Sequence, residues 1–304
     1  MLLRPLLSGL CAIACVTATA APLRPDSPKN CSSCAEWNRP QAPFVLHGKS
    51  WFVGTRGLSS VLIDSGEGLV LLDGALPESA PLIAANIETL GFRLDQIRYI
   101  AVSHAHYDHV GGVAALARAS GATVIASARS ADALIAGVPP QDDPQAGFGD
   151  KANGFPKLSK VQRVADGETL RLGKLVLTAH YTPGHTAGAT TWSWQDCSGG
   201  DCVNLVYADS LNAVSDDAYR FGGADGNGGI AESFRASIDR VAKLPCDILV
   251  TVHPGFAKFD EKLAQRAQGA KADPFIDASA CRRYADSARE RLDARLREER
   301  APKP

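Results

Sequence analysis

Five of the chain's seven histidines fall in three clusters that share a setting. The first is Ser103-His104-Ala105-His106-Tyr107-Asp108-His109, the second Thr182-Pro183-Gly184-His185-Thr186, and the third His253-Pro254-Gly255. Each follows an apolar run of strand type, so all three can meet at one rim of a sheet. Imidazole nitrogens and carboxylate oxygens bind zinc at about 2.0–2.2 Å, and a catalytic zinc keeps one position open for water. His104 and His106, two apart on extended chain, can clasp one metal. Asp108 and His109, at the turn into a helix, can reach a second, and His185 and His253 from distant strands complete one site each. Two metals about 3.5–4 Å apart can share a hydroxide that is nucleophilic at neutral pH. A lone histidine would ordinarily be structural, but four ligand-type residues within six positions are not ordinary. His47 and His180 stand apart from the clusters and are assigned structural roles.

The elements that must position these residues are legible in outline. Short β-type runs at 50–53, 59–63 and 69–72, separated by glycine-bearing turns, predict an antiparallel meander. A helix over 81–90 ends at Gly91. Residues 98–102 form the strand before the first cluster, 113–119 a helix, and 123–126 another strand. Gly111-Gly112 lets that helix approach the metal loop. Residues 137–157, with Pro139, Pro140, Pro144 and several glycines, read as a long loop of the kind that lids a site. Strands resume at 170–172, 175–180, 190–194, 203–207 and 247–252, and 232–244 is helical. From Ser279 onward, Cys281, Tyr284, Ala288, Leu292 and Leu296 fall on one helical stripe. The pattern alone supports a mixed α+β fold without tandem repeats.

Of 304 residues, 45% are hydrophobic and 21% charged, enough apolar material for a substantial core. With 32 basic against 33 acidic residues and no long run of either sign, nothing suggests a nucleic-acid or anionic-membrane partner. A small-molecule substrate and a monomer are expected. Residues 1–20 read as a signal peptide: a basic start, an apolar stretch, and Ala18-Thr19-Ala20 as cleavage site, with 21–304 as one domain. A competing reading takes Ala12-Ile13-Ala14-Cys15 as a lipoprotein signal, which would leave Cys15 lipidated and membrane-attached; otherwise no stable membrane contact is expected. Loss of Arg4 with the signal leaves a charge of about −2. Eight cysteines then become six, an even number that in an exported chain favours disulfides. Cys197 and Cys202 bracket a glycine turn, and a Cys246–Cys281 pair would pin the C-terminal helix. Cys31 and Cys34 remain as C-x-x-C, for which a redox or zinc role is an alternative to a structural disulfide.

His104-Ala105-His106-Tyr107-Asp108-His109 is similar to the H-x-H-x-D-H signature of the metallo-β-lactamase superfamily, and His185 and His253 match its remaining ligands. Over nearly the whole mature length the chain resembles subclass B3, through Thr182–Thr186, Tyr207-Ala208-Asp209-Ser210-Leu211, Cys246-Asp247-Ile248-Leu249, His253-Pro254 and Cys281-Arg282-Arg283-Tyr284. The resemblance implies an αβ/βα sandwich, periplasmic export and zinc-dependent hydrolysis of penicillins, cephalosporins or carbapenems, conferring antibiotic resistance. It implies that His104, His106 and His185 bind the first of two Zn2+ ions, and Asp108, His109 and His253 the second. Asp108 is then the catalytic residue that orients the bridging hydroxide. Other subclasses have a cysteine ligand where this chain has Ser210. Ser210 and Asn212 become the candidates for the substrate carboxylate, although relatives often carry a hydroxyl at the position of Asn212. Some relatives carry a cysteine where Arg56 stands. The rival reading is a lactonase or thioesterase of the same superfamily with Asp209 bridging the metals.

Overall fold

A computed structural model of the chain describes residues 23–223 and 229–301. The signal-peptide reading of residues 1–20, with Cys11 and Cys15, lies outside the described residues. Seven strands form the first sheet in sequence order: β1 (Phe44–His47), β2 (Ser50–Phe52), β3 (Val61–Asp64), β4 (Leu69–Leu72), β5 (Ile97–Ala101), β6 (Thr123–Ala126) and β7 (Gln162–Arg163). The β1–β4 pairs are antiparallel, as the meander pattern predicts, and β4 to β7 run parallel. The second sheet holds β8 (Thr169–Leu172), β9 (Leu175–Tyr181), β10 (Thr190–Ser198), β11 (Asp201–Ala208) and β12 (Ile248–Thr251), in the order β12-β11-β10-β9-β8.

Side-chain alternation explains why the strands read as continuous apolar runs. In β4, Val70 and Leu72 enter the core between the sheets, while Leu69 and Leu71 enter a second core on the outer face. A strand covered on both faces has no polar side to show. The outer face of the first sheet is covered by α2 (Ala80–Thr89), α4 (Val113–Ser120) and α5 (Ala128–Ala136). The second sheet is covered by α7 (Ala231–Lys243) and α9 (Ala280–Arg300), whose Phe234, Ile238, Tyr284 and Leu292 are buried there. The result is the four-layer αβ/βα sandwich. The short helices α1 (Cys34–Trp37), α3 (Tyr107–Val110), α6 (Asp150–Asn153) and α8 (Phe259–Ala267) lie in the connections.

Besides the one-turn helices α1, α3 and α6, two helices were not foreseen from periodicity. Yet α5 carries its own stop signals: Ser127 caps it by accepting the Ser130 N–H, and Gly137 ends it at φ +80°. The helix α8 begins after Lys258 in the left-handed region, a start no capping motif announces. The loop at 137–157 also contains more structure than expected, a 3-10 turn over Ala146–Phe148 and α6.

Disulfides join Cys31 to Cys34, Cys197 to Cys202 and Cys246 to Cys281. In the first, the two cysteines of the C-x-x-C pair with each other at the start of α1, and Arg56 lies in the loop between β2 and β3. Among the described residues no helix is long and apolar enough to cross a membrane.

Candidate metal centre

The three histidine clusters leave the sheets at matching ends. β5, β9, β11 and β12 all point the same way within their sheets, and each is followed at once by ligand-type residues. Carboxyl ends of parallel strands are where open sheets gather their ligands. Two bonds lock the rims of the sheets together beside the site. Thr190 N–H donates to Ser103 C=O at 2.8 Å, and the Trp192 indole N–H donates to Val102 C=O at 3.0 Å.

His104, His106 and His185 bring one ligand atom each to within 4.8 Å of one another, and all three are buried. Their rear nitrogens are held. His104 Nδ1 lies 2.6 Å from Asp209 Oδ1, His106 Nε2 lies 3.1 Å from Asp143 Oδ1, and His185 Nδ1 lies 2.8 Å from the Asn212 carbonyl. That fixes which nitrogen is left to face inward: Nε2 of His104, Nδ1 of His106 and Nε2 of His185. Burial pushes the His185 imidazole down to about 3, and burial with its histidine neighbours holds His104 well below the usual value. Both are therefore neutral, the form that offers a lone pair.

Asp108, His109 and His253 form a second group of the same tightness. Asp108 Oδ2 lies 3.2 Å from His109 Nε2 and 3.3 Å from His253 Nε2, while His253 Nδ1 meets Gly57 C=O at 3.2 Å. Burial works against the charge on Asp108, but His109 and His253 outweigh it and hold the carboxyl well below the usual range. The donor sets, three nitrogens and two nitrogens plus a carboxylate, are those zinc takes. Among the described residues, buried His104 Nε2 has no hydrogen-bond partner, which a metal would supply. The residues fit a metal pair.

Both groups border one cleft of about 620 Å3, lined also by Trp37, Arg56, Tyr107, Gln145, Ser210, Asn212, Val214 and Phe256. Ser210 and Asn212 thus stand where a bound molecule would. Asp209 does not line the cleft. It is fully buried behind His104. His180 bonds Ser193 Oγ at 2.7 Å along its strand pair, and His47 lies at the far turn of β1, so neither joins the site.

Several supporting residues escaped the sequence reading. Asp73, just past β4, accepts Ser103 N–H at 2.8 Å, the Ser103 hydroxyl at 2.6 Å and the Tyr207 hydroxyl at 2.9 Å, so it fixes the start of the first cluster. Its φ of +56° is a strained conformation for a non-glycine. Asp143 lies in the loop at 137–157 and ties that loop to His106. The only clue to either was a carboxylate at the end of a strand or within an otherwise Pro- and Gly-rich loop. The glycine pair is also reinterpreted. A Cβ on Gly112 would strike the Gly74 carbonyl, so Gly111-Gly112 lets the first cluster pack against the turn after β4.

A model of the metallo-β-lactamase superfamily matches residues 53–253, which include all six ligand-type side chains. The chain belongs to the metallo-β-lactamase superfamily. With that membership come the hydrolase class and a metal cofactor. Among solved superfamily structures, the chain is similar to MEM-A1, a subclass B3 metallo-β-lactamase from a soil metagenome library. Identity is 43% over 86% of this chain and 98% of that one, with a TM-score of 0.82. It is also similar to the metallo-β-lactamase SMB-1 in a complex with mercaptoacetic acid, at 42% identity over 87% of this chain and 99% of that one, TM-score 0.81. The hydroxyacylglutathione hydrolase of Anaeromyxobacter dehalogenans is 30% identical over 194 residues, 64% of this chain and 59% of that protein. The chain thus spans about three fifths of that superfamily relative, and 35% of the hydroxyacylglutathione hydrolase of Rhodobacter capsulatus.

Proposed function

We propose that this protein hydrolyses the amide bond of β-lactam antibiotics with two zinc ions, confers resistance to them, and acts outside the cytoplasm. The observation that carries the reading is the pairing of an all N/O six-ligand centre with a cleft carrying Ser210 in place of a thiolate, in a chain over 40% identical to solved subclass B3 enzymes across nearly their whole length. Three disulfides agree with an oxidising compartment.

Zinc held by these residues supplies Lewis-acid polarisation of a carbonyl and brings the pKa of water towards neutrality. The protein's own contribution is orientation. Asp108 shares Oδ2 between His109 and His253 and lines the cleft, so its carboxylate can accept a hydrogen bond from the attacking water and keep a lone pair aimed at the lactam carbon. Ser210 and the Asn212 amide would hold the carboxylate that β-lactams carry beside the ring nitrogen. Mercaptoacetic acid, which SMB-1 binds, presents a thiol for the metals and a carboxylate for that same contact, and we expect it to bind here.

A thioesterase or lactonase reading with Asp209 bridging the metals draws on the hydroxyacylglutathione hydrolases. It is disfavoured by geometry, because Asp209 meets His104 Nδ1 from behind and belongs to neither ligand group. The deciding experiment is turnover of a penicillin, a cephalosporin, a carbapenem, an acyl-homoserine lactone and a glutathione thioester by zinc-loaded protein, with and without chelator. Chelator-sensitive lactam hydrolysis is expected. Lactone or thioester turnover without lactam turnover would overturn the proposal.

A further inference from the structure

The wall of the cleft that bears Ser210 is built where β11 has ended. Beyond Ala208 the backbone no longer pairs with a neighbouring strand, yet Asp209, Ser210 and Leu211 are all buried. Buried peptide groups need partners. Here both are met by one side chain from the other end of the sequence. The Tyr284 hydroxyl accepts the Leu211 N–H at 2.9 Å and donates to the Asp209 carbonyl at 3.1 Å, so it bridges the backbone on either side of Ser210. Tyr284 is itself buried on α9, one turn beyond Cys281, which is bonded to Cys246 at the foot of β12. The phenol is therefore anchored to the strand that leads into His253.

We propose that Tyr284 is a positioning residue for ligand binding, which orients the Ser210 hydroxyl in the cleft by clamping the Asp209–Leu211 turn. It does not itself line the cleft and belongs to neither ligand group; its ring packs on that of Phe256, which lines the cleft, at 6.2 Å between centroids, a contact that the loss of the hydroxyl leaves in place. Asp209 has two further anchors, its N–H on Thr191 Oγ1 at 3.2 Å and its carboxylate on His104 at 2.6 Å. Removing the phenol oxygen therefore leaves His104 supported and frees chiefly the Ser210–Leu211 peptide. The consequence falls on the carboxylate contact rather than on metal loading. The inference rests on the proposed role of Ser210 towards an anionic ligand, and its ligand class is a β-lactam or other small carboxylate.

The test is a double-mutant cycle on zinc-loaded protein with Tyr284→Phe, Ser210→Ala and the pair. Two readouts are taken: KM and kcat for a penicillin, and the calorimetric Kd of mercaptoacetate against that of 2-mercaptoethanol, which has the thiol but no carboxylate. Tyr284→Phe is expected to raise KM and the mercaptoacetate Kd about fivefold, the scale of one lost polar contact. Expected alongside are kcat within about twofold, unchanged zinc content and unchanged 2-mercaptoethanol affinity. In the Ser210→Ala background the same substitution should add little. A lower melting temperature with unmoved KM and Kd, or effects that simply add, would overturn the proposal, as would equal wild-type affinity per thiol for the two probes. Should Tyr284→Phe fold poorly, fluorotyrosine at 284 keeps the ring, perturbs the hydroxyl and is read in the same cycle. If the wild type hydrolyses no lactam, the functional reading fails, while the mercaptoacetate cycle still decides the role of Tyr284.

Discussion

The two ligand groups differ in how they are backed. Every member of the first has its outer nitrogen taken by a separate partner: Asp209 for His104, Asp143 for His106, and the Asn212 carbonyl for His185. In the second, only His253 has such support, a bond to Gly57 C=O at 3.2 Å, and its side chain keeps 23% of its exposure. His109 Nδ1 is buried without a partner among the described residues. Outer partners fix the tautomer and ring direction of a metal ligand and raise its basicity. The first site is thus a rigid socket, its ligands drawn from two stretches of chain and their backing from two more. The second is closer to the solvent and leans on contacts among its own ligands.

Four experiments test how far the two sites differ. The largest effect is expected from Asp108→Asn, which removes a ligand charge from the second site and the group that orients water. Turnover should fall by about 10²–10⁴-fold, with the circular dichroism spectrum unchanged, and full retained activity would sink the assigned role. Next comes Asp143→Asn, which should weaken zinc at the first site about 10–100-fold, measured by competition with a fluorescent chelator. Unchanged affinity would mean that the carboxylate behind His106 is packing and no more. Stepwise chelation of wild-type protein should then remove the second ion well before the first, with metal content passing through a plateau near one ion per chain. Loss of both together, or of the better-backed site first, would contradict the comparison. The smallest effect is expected for Ser210→Ala, a KM increase of about threefold to tenfold with kcat little altered, the net scale of one ordinary hydrogen bond made in competition with water. A fall in kcat at constant KM would instead put Ser210 in the chemistry.

The six donor residues that the fold gathers into two groups were legible because metal chemistry restricts donors to few residue types and the first cluster packs four of them into six positions. Most strands and the helices at 80–89, 113–120, 231–243 and 280–300 were legible for a similar reason, since burial on one or two faces leaves a period in the apolar residues. The helix Phe259–Ala267 escaped, with only Phe259 buried and therefore no stripe to detect. The supporting carboxylates escaped as well. Asp73 and Asp143 are single acidic residues in unremarkable stretches, and their roles exist only because folding sets Ser103 beside one and His106 beside the other.

Taken alone, the sequence determined the donor chemistry, the alternation that makes two covered sheets, and an even set of six cysteines beyond residue 20. It left open whether Asp209 faces a metal or backs one, how Cys31 and Cys34 pair, and what steadies Ser210. Tertiary structure decided these, because each depends on a direction in space between residues far apart in the chain: Asp209 lies behind His104, 105 positions away, and Tyr284 lies against the backbone at Leu211, 73 positions away. Side-chain type limits which bonds can form. Which of them do form is set by the packing of the two sheets and the helix that closes over the second.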